Sequence, residues 1–250
     1  MITLTDRLYT ISQRILRGET MADIGTDHGF LPLYLHERGI SPHVIMADIS
    51  SLSLDKARER AALDFPGETF DFRVGDGLAV LDNGEVDAVV MAGIGGRLME
   101  EILEADREKS MSFSKLILQP RRHPGYIRKY LVMNGYRIIA EDLVRESKFI
   151  WEIIIVRPCG MRDYGYAEKG TALSDGLPEY MLDLHPGAIE WEVPPYYSSL
   201  DDGLTGEFLE RKLCRERKIL RARQGSKEGD TSVTEKNIEY LSGLIRSRMD

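Results

Sequence analysis

Five short apolar or β-branched runs alternate along this chain with stretches of helical periodicity. The runs are MADIG from Met21, HVIMADI from His43, TFDFRVG from Thr69, VDAVVMAG from Val86 and SKLILQP from Ser114. Between them lie helical stretches over about 31–38, 54–63, 97–109 and 127–133. Strand and helix in strict alternation, with short connections, argue for a doubly wound α/β domain built on a largely parallel sheet. The near-continuous apolar centres VVM and LIL fit strands buried on both faces. Ahead of the first strand, Leu4, Leu8, Ile11 and Ile15 step by four, three and four, which predicts an opening amphipathic helix.

The pattern changes after Gly135. YRIIAEDLVRE and FIWEIIIVRP follow one another with only a few polar residues between, which predicts a hairpin and leaves no room for a crossover helix. A parallel sheet should therefore finish on an antiparallel strand. Residues 160–206 are rich in Gly, Pro, Tyr and Asp without clear periodicity and read as loop or insertion with short helices at most. Helical patterning then returns. Phe208, Leu209, Leu213 and Leu220 form one stripe, residues 225–229 break it, and Ile238, Leu241, Leu244, Ile245 and Met249 form a second. Ser232 with Glu235 three residues later fits a capping box for the second helix. The expected division is a main domain over 1–160, an irregular linker over 161–206 and a helical pair over 207–250.

Composition sets outer limits. At 42% hydrophobic and 30% charged, the chain is of ordinary globular type. Its apolar runs fall far below the roughly 20 residues that span a bilayer. The opening MITLTDRLYT, with an acid and no long apolar stretch, does not read as a secretory signal, and none is expected. Cys159 and Cys214 make no disulfide framework, and His28, His36, His43, His123 and His185 are scattered without ligand spacing, so no metal site is expected. A reducing cytoplasm fits best. The net charge of −8 seems to count against a nucleic-acid partner, but its distribution matters more. Between Pro120 and Lys148 seven cationic residues face three acids, and between Glu207 and Gln224 seven again face three. Such runs usually mean a solvated helix face, yet two of them allow one basic surface.

Three loops converge on a nucleotide-like ligand at the carboxyl ends of the first four strands. In ADIGTDHG, Gly25 and Gly29 let the backbone turn sharply and pass close to a ligand. Asp48, with Ile49 behind it, ends the second strand twenty-three residues after Gly25, where a carboxylate can accept both hydroxyls of a ribose. Asp76, between Gly75 and Gly77, can take the exocyclic amine of an adenine. A dinucleotide site would carry three glycines to seat a pyrophosphate on a helix N-terminus. Here Asp27 and His28 occupy that space. Asp27 repels phosphate and suits an ammonium group, which favours S-adenosylmethionine; the competing reading is that Asp27 only caps the next helix.

Taken together, ADIGTDHGFLPLYL, ADIS, GDGLAVL, VVMAGIGG, LILQP and WEIIIV resemble the bacterial tRNA (adenine(22)-N1)-methyltransferases of the TrmK family, over about residues 4–157. The resemblance implies a Rossmann-like class I methyltransferase sheet with an antiparallel last strand, a coiled-coil-like C-terminal domain, S-adenosylmethionine as cofactor and tRNA as substrate. The chain departs from the family's pattern over 160–206, which is longer and richer in Pro and Tyr.

Methyl transfer asks a protein chiefly to hold the acceptor nitrogen in line with an activated methyl and to exclude water. Adenine N1 lies on the pairing edge, so the base must be unpaired and turned into a pocket. Asp23 and the Ala92-Gly93-Ile94 turn are expected to line the cofactor site, with Gly95 and Gly96 giving room for a flat base. Asp27 and His28 are the candidates for a proton acceptor. Gln119 is placed to read the adenine edge, although a strand-end Gln as often caps backbone. Arg121, Arg122 and Tyr126 should hold phosphate and stack a base. If Arg211, Arg215, Arg217 and Arg221 lie on the same side, both basic runs form one track. Other readings remain: a methyltransferase acting on another RNA site or a small molecule, a nicotinamide oxidoreductase, disfavoured by Asp27 and the missing third glycine, and a non-catalytic RNA-binding protein.

Overall fold

Strand β1 (Met21–Ile24) is buried along its whole length because it lies near the centre of a seven-stranded sheet. The computed structural model describes residues 1–159, 172–200, 203–224 and 230–249. Before β1 comes helix α1 (Asp6–Ser12); after it come α2 (Phe30–Glu37), β2 (Val44–Asp48), α3 (Ser51–Asp64), β3 (Asp71–Val74) and β4 (Ala88–Ile94). The chain continues through α4 (Gly96–Ala105), α5 (Arg107–Ser110), β5 (Lys115–Pro120) and α6 (Pro124–Met133). A hairpin of β6 (Tyr136–Glu146) and β7 (Phe149–Pro158) completes the sheet. Beyond it lie α7 (Ile189–Glu192), α8 (Thr205–Gln224) and α9 (Ser232–Ser247).

The strand order is β3-β2-β1-β4-β5-β7-β6, with β1 to β5 parallel and β7 antiparallel to both neighbours. This is the Rossmann-like sheet with a reversed last strand that the alternation and the hairpin called for. Alternate residues feed opposite faces, as the period of two requires. Val89, Met91, Leu116 and Leu118 enter one core layer; Ala88, Val90 and Ile117 enter the other.

Helix α1 stops at Ser12, so Ile15 is buried from the following turn rather than from the helix. Two polar residues of α1 and its exit fix it across the sheet: Arg7 bonds Glu146, and Arg14 donates two hydrogen bonds to Asp142, both acids lying on β6. The helix expected over 97–109 breaks at Asp106, whose carboxylate accepts the Lys109 N–H at 3.0 Å and starts α5 afresh. The capping box expected at Ser232 does not form, and the helix starts one residue earlier. Thr231 is the N-cap of α9, and its hydroxyl donates to Glu235 at 3.0 Å.

Part of 160–206 lies outside the described residues, but 172–200 is no loose linker. Trp191 and Tyr197 are fully buried, and Ile189, Val193 and Tyr197 share a core with Phe208, Leu209, Leu213, Leu241, Leu244 and Leu143 of the hairpin. The inner parts of the two C-terminal stripes thus pack as expected, while Met249 is exposed; the break at 225–229 lies outside the described residues. Beneath this core Arg128 is completely buried. It forks onto Glu141 at 2.9 and 2.8 Å, and Tyr196 and Tyr197 donate to the same carboxylate at 2.5 and 2.7 Å. One guanidinium therefore joins α6, β6 and the segment leading into the last helices.

Candidate active site

The sheet order reverses between β1 and β4, and a crevice at such a reversal is where ligands meet the carboxyl ends of parallel strands. Gly25 turns the chain out of β1 with φ +84°, its N–H and that of Thr26 both donating to Ala47 O. On the β4 side the register with β5 slips between Ala92 and Ile94, so Gly93 bulges out of the ladder. It has φ +78°, and a Cβ there would meet nothing within 4 Å. The Gly93 N–H turns instead onto Gln119 Oε1 at 3.0 Å. A bulge beside a crevice re-aims the backbone that follows it.

Gln119 is 1% exposed, and both its polar ends are used inside the protein. Its oxygen also accepts from Arg7 Nη1 at 2.9 Å, and its nitrogen donates to Pro120 O at 3.2 Å. The expectation that it reads an adenine edge fails on this account: it is a bracket between α1 and the β4 bulge. Arg7 is the residue that sequence reasoning missed. Its signal was a cation inside the apolar spacing of α1, adjacent to Leu8.

Asp23 is 9% exposed, and burial pushes its carboxyl up to about 6, with Asp48 adding to the rise while Thr26 and Arg7 oppose it. It is the perturbed acid of the crevice, a common mark of functional carboxyls. Asp48 ends β2 half-buried, with Oδ1 taking the Ser50 N–H at 2.7 Å; Ile49 beside it is exposed. Asp76 lies exposed just past β3.

Not every glycine of the motifs serves the crevice. A Cβ on Gly29 would stand 2.8 Å from Met46 Sδ and 3.2 Å from Ala57 Cβ, so that glycine lets α2 close on β2 and α3. Gly77 likewise has Ile102 at 2.8 Å, which seats it on α4. Gly96 offers no room for a base, because a Cβ would lie 2.2 Å from His123 O. Gly95 next to it is open, with nothing within 4 Å.

Asp27 neither caps α2, whose N-cap is Gly29, nor faces into the crevice unpaired. At 57% exposure it holds Lys56 Nζ at 2.7 Å, with His28 Nε2 at 3.2 Å, so these two candidate proton acceptors form an exposed pair on the loop.

The loop between β5 and α6 is laced to the β4 turn. Arg121 N–H donates to Ile94 O and Gly96 N–H to Arg122 O, each at 2.8 Å. Pinned from both sides, His123 adopts φ 56° and ψ 51°, a left-handed conformation uncommon outside glycine and held here by its surroundings. The Arg121 and Arg122 side chains are exposed beside Tyr126, which receives a 2.6 Å hydrogen bond from Arg97. Arg215 lines the same cleft as Arg121 and Arg122. Arg217 and Arg221 sit roughly 200° and 240° further round α8 at 100° per residue, so the four arginines do not form one track.

A family model described as a methyltransferase domain matches residues 4–154. A tRNA (adenine(22)-N(1))-methyltransferase of Bacillus subtilis (strain 168) is 36% identical over 179 residues, 70% of this chain and 73% of that protein. The chain belongs to the tRNA (adenine(22)-N(1))-methyltransferase family. The crystal structure of the B. subtilis M1A22 tRNA methyltransferase TrmK superposes with a TM-score of 0.74 at 26% identity, covering 100% of this chain and 98% of that one. The Mycoplasma capricolum TrmK, solved with S-adenosyl-homocysteine, gives 0.75 at 22% identity with 98% of each chain covered, a likeness of fold. The family's fold thus extends past the matched domain, which ends within β7, and into the helical pair.

Proposed function

We propose that this chain methylates N1 of adenine 22 in tRNA, with S-adenosylmethionine as the methyl donor. The observation that carries the reading is the reversal of strand order between β1 and β4, with Asp23 in β1, Asp48 ending β2 and Asp76 just past β3, and with the open Gly93 bulge of β4 beside an exposed arginine loop. Carboxylates at Asp23, Asp48 and Asp76 suit a ribose, an exocyclic amine and an ammonium group. The opposed charges of Asp23 and Arg7 complement an amino-acid moiety. The donor set therefore fits S-adenosylmethionine, which supplies a methyl group already activated on a sulfonium.

The protein's own work is positional. Asp48 receives ribose hydroxyls and Asp76 an adenine amine, while Gly25, Ala92, Gly93 and Ile94 leave backbone close to the cofactor. Gly95 gives the unpaired acceptor base its space. Arg7 and Gln119 hold the bulge that separates the two ligands, so the acceptor nitrogen meets the methyl in a fixed frame. N1 would attack the methyl carbon through its lone pair as the C–S bond breaks and neutral S-adenosylhomocysteine leaves, so no proton need leave before transfer, and the nearby carboxylates favour the positive ring that results. Arg121, Arg122 and Tyr126 take the phosphates and stack beside them. A tRNA substrate supports a cytoplasmic setting for the reaction.

Incubation with S-adenosylmethionine and unmodified tRNA, followed by mapping of the methylated nucleotide, tests this reading. N1-methyladenosine at position 22 is the expected product; methylation elsewhere, or none, overturns it.

A further inference from the structure

A cleft of about 660 Å³ separates the start of β7 and the β5–α6 loop from α8 and α9. None of Asp23, Asp48 and Asp76 lines it, so it is separate from the cofactor crevice, though it opens on the same rim of the sheet. Its size falls within the range of small-molecule sites.

Set into this cleft is Glu152, 6% exposed, whose Oε1 is buried without a hydrogen-bond partner. Lys212 Nζ stands 3.5 Å from that oxygen, and Arg128 Nη2 3.6 Å from Oε2. Both separations exceed ordinary hydrogen-bond lengths, so the two cations pair with the carboxyl by charge while Oε1 still accepts no hydrogen bond. Arg128 is already committed to Glu141, and Lys212 is shared with Glu192 at 3.9 Å. Buried polar atoms are nearly always paired, and one that is not asks for a missing group. The cleft walls say what kind. Arg121 and Arg122 on one side and Arg215 on the other form no ion pair among the described residues, while Tyr126 and Trp151 add aromatic surface. Cations at the rim, rings beside them and a buried carboxylate at depth make a nucleotide site, with Glu192 and Glu216 adding acids to the α7 and α8 walls.

The acceptor narrows the base. Adenine and cytosine each set one amino donor beside a ring nitrogen that would face a carboxylate oxygen, and uracil sets one N–H between two carbonyls. Guanine alone places two donors, N1–H and the N2 amino group, side by side. We infer that the cleft is a second nucleotide site, in which Glu152 accepts the paired N–H donors of an unpaired guanine while Arg121, Arg122 and Arg215 hold its flanking phosphates. This inference rests on the reading that the substrate is tRNA.

Inosine lacks only the N2 amino group of guanosine, which supplies the test. Unmodified tRNAs carrying single guanosine-to-inosine replacements are titrated against the full chain and against Glu152→Gln, with S-adenosylmethionine affinity measured in parallel. One replacement should weaken binding by the wild-type chain about tenfold, the scale of discrimination carried by hydrogen bonds to a base edge. Glu152→Gln should bind unmodified tRNA about tenfold less tightly, be indifferent to that replacement and keep its affinity for S-adenosylmethionine. Two results overturn the site alone: methylation of adenine 22 with no inosine-sensitive position in the wild type, or equal inosine sensitivity in both proteins. The first needs no variant. Failure of the wild type to bind tRNA at all overturns the tRNA reading together with the site.

Discussion

Arg7 Nη1 donates to Gln119 Oε1 over 2.9 Å, so the first helix holds the last buried polar side chain of the fifth strand. The same oxygen receives the Gly93 N–H, and the β4 bulge therefore depends on a residue 86 positions earlier in sequence. Arg7→Met should cost about 1–3 kcal/mol in denaturant unfolding, the scale of a missing charge-assisted bond. Methyl transfer should fall by more than the stability loss explains, because the bulge between the two ligands loses its bracket. Activity equal to wild type in the folded variant would refute the bracketing role.

Asp23 links stability to pH with a definite sign. Its folded pKa of about 6 lies above the ordinary value of 3.8, so the folded chain binds the proton more tightly. The stabilisation is complete below about pH 4 and is lost as pH rises through 6, by about 3 kcal/mol at 1.4 kcal/mol per unit. Asp23→Asn removes this dependence. The stability of wild type relative to the variant should fall between pH 4 and 6 and then level, as urea unfolding at stepped pH would show, and the variant should lose methyl transfer.

Gly95 and Gly96 are adjacent yet should respond oppositely to alanine. At Gly96 the new methyl meets His123 O at 2.2 Å, backbone against backbone, and a loss of about 2–4 kcal/mol is expected. At Gly95 it meets open space, so Gly95→Ala should keep the wild-type melting temperature while raising KM for tRNA. A normal KM would move the acceptor base away from this glycine.

Arg128→Met leaves Glu141 buried with only tyrosine partners. About 3–5 kcal/mol should be lost, the usual penalty for breaking a buried ion pair from one side. Replacing both members, Arg128→Met with Glu141→Leu, should cost less than the single change. Guanidinium unfolding of the three proteins gives the comparison directly.

Reversing Arg121 and Arg122 to Glu should weaken tRNA binding at least tenfold. It should also flatten the dependence of binding on salt, by about one unit of slope for each phosphate no longer neutralised. S-adenosylmethionine affinity should not change.

The sheet was legible because its strands carry their own period, and the reversal at β7 because no helix fits between Glu146 and Phe149. The positions of Asp48 and Asp76 at the ends of β2 and β3 were legible too, since an acid where a strand finishes is a local signal. What escaped was set by distant partners. Nothing near Gln119 announces that Arg7 and Gly93 consume its oxygen, and nothing near Gly96 or Gly29 tells a glycine needed for packing from one needed by a ligand. Tyr197 and Trp191 sit in a segment without periodicity because they fill a gap between elements rather than the face of one. Thr231 displaced Ser232 as cap by a single residue, a shift that local pattern cannot resolve.

Because β7 runs against β5, its opening residues arrive at the rim where the parallel strands finish, and the helical pair docks against that opening end through Glu152 and Lys212. In the proposed reading the wall facing the substrate thus comes from a hairpin and its appendage, and the floor under the cofactor from the strands before it. Exchanging residues 172–249 for those of a relative should retune which RNA is accepted while methyl-donor affinity stays put.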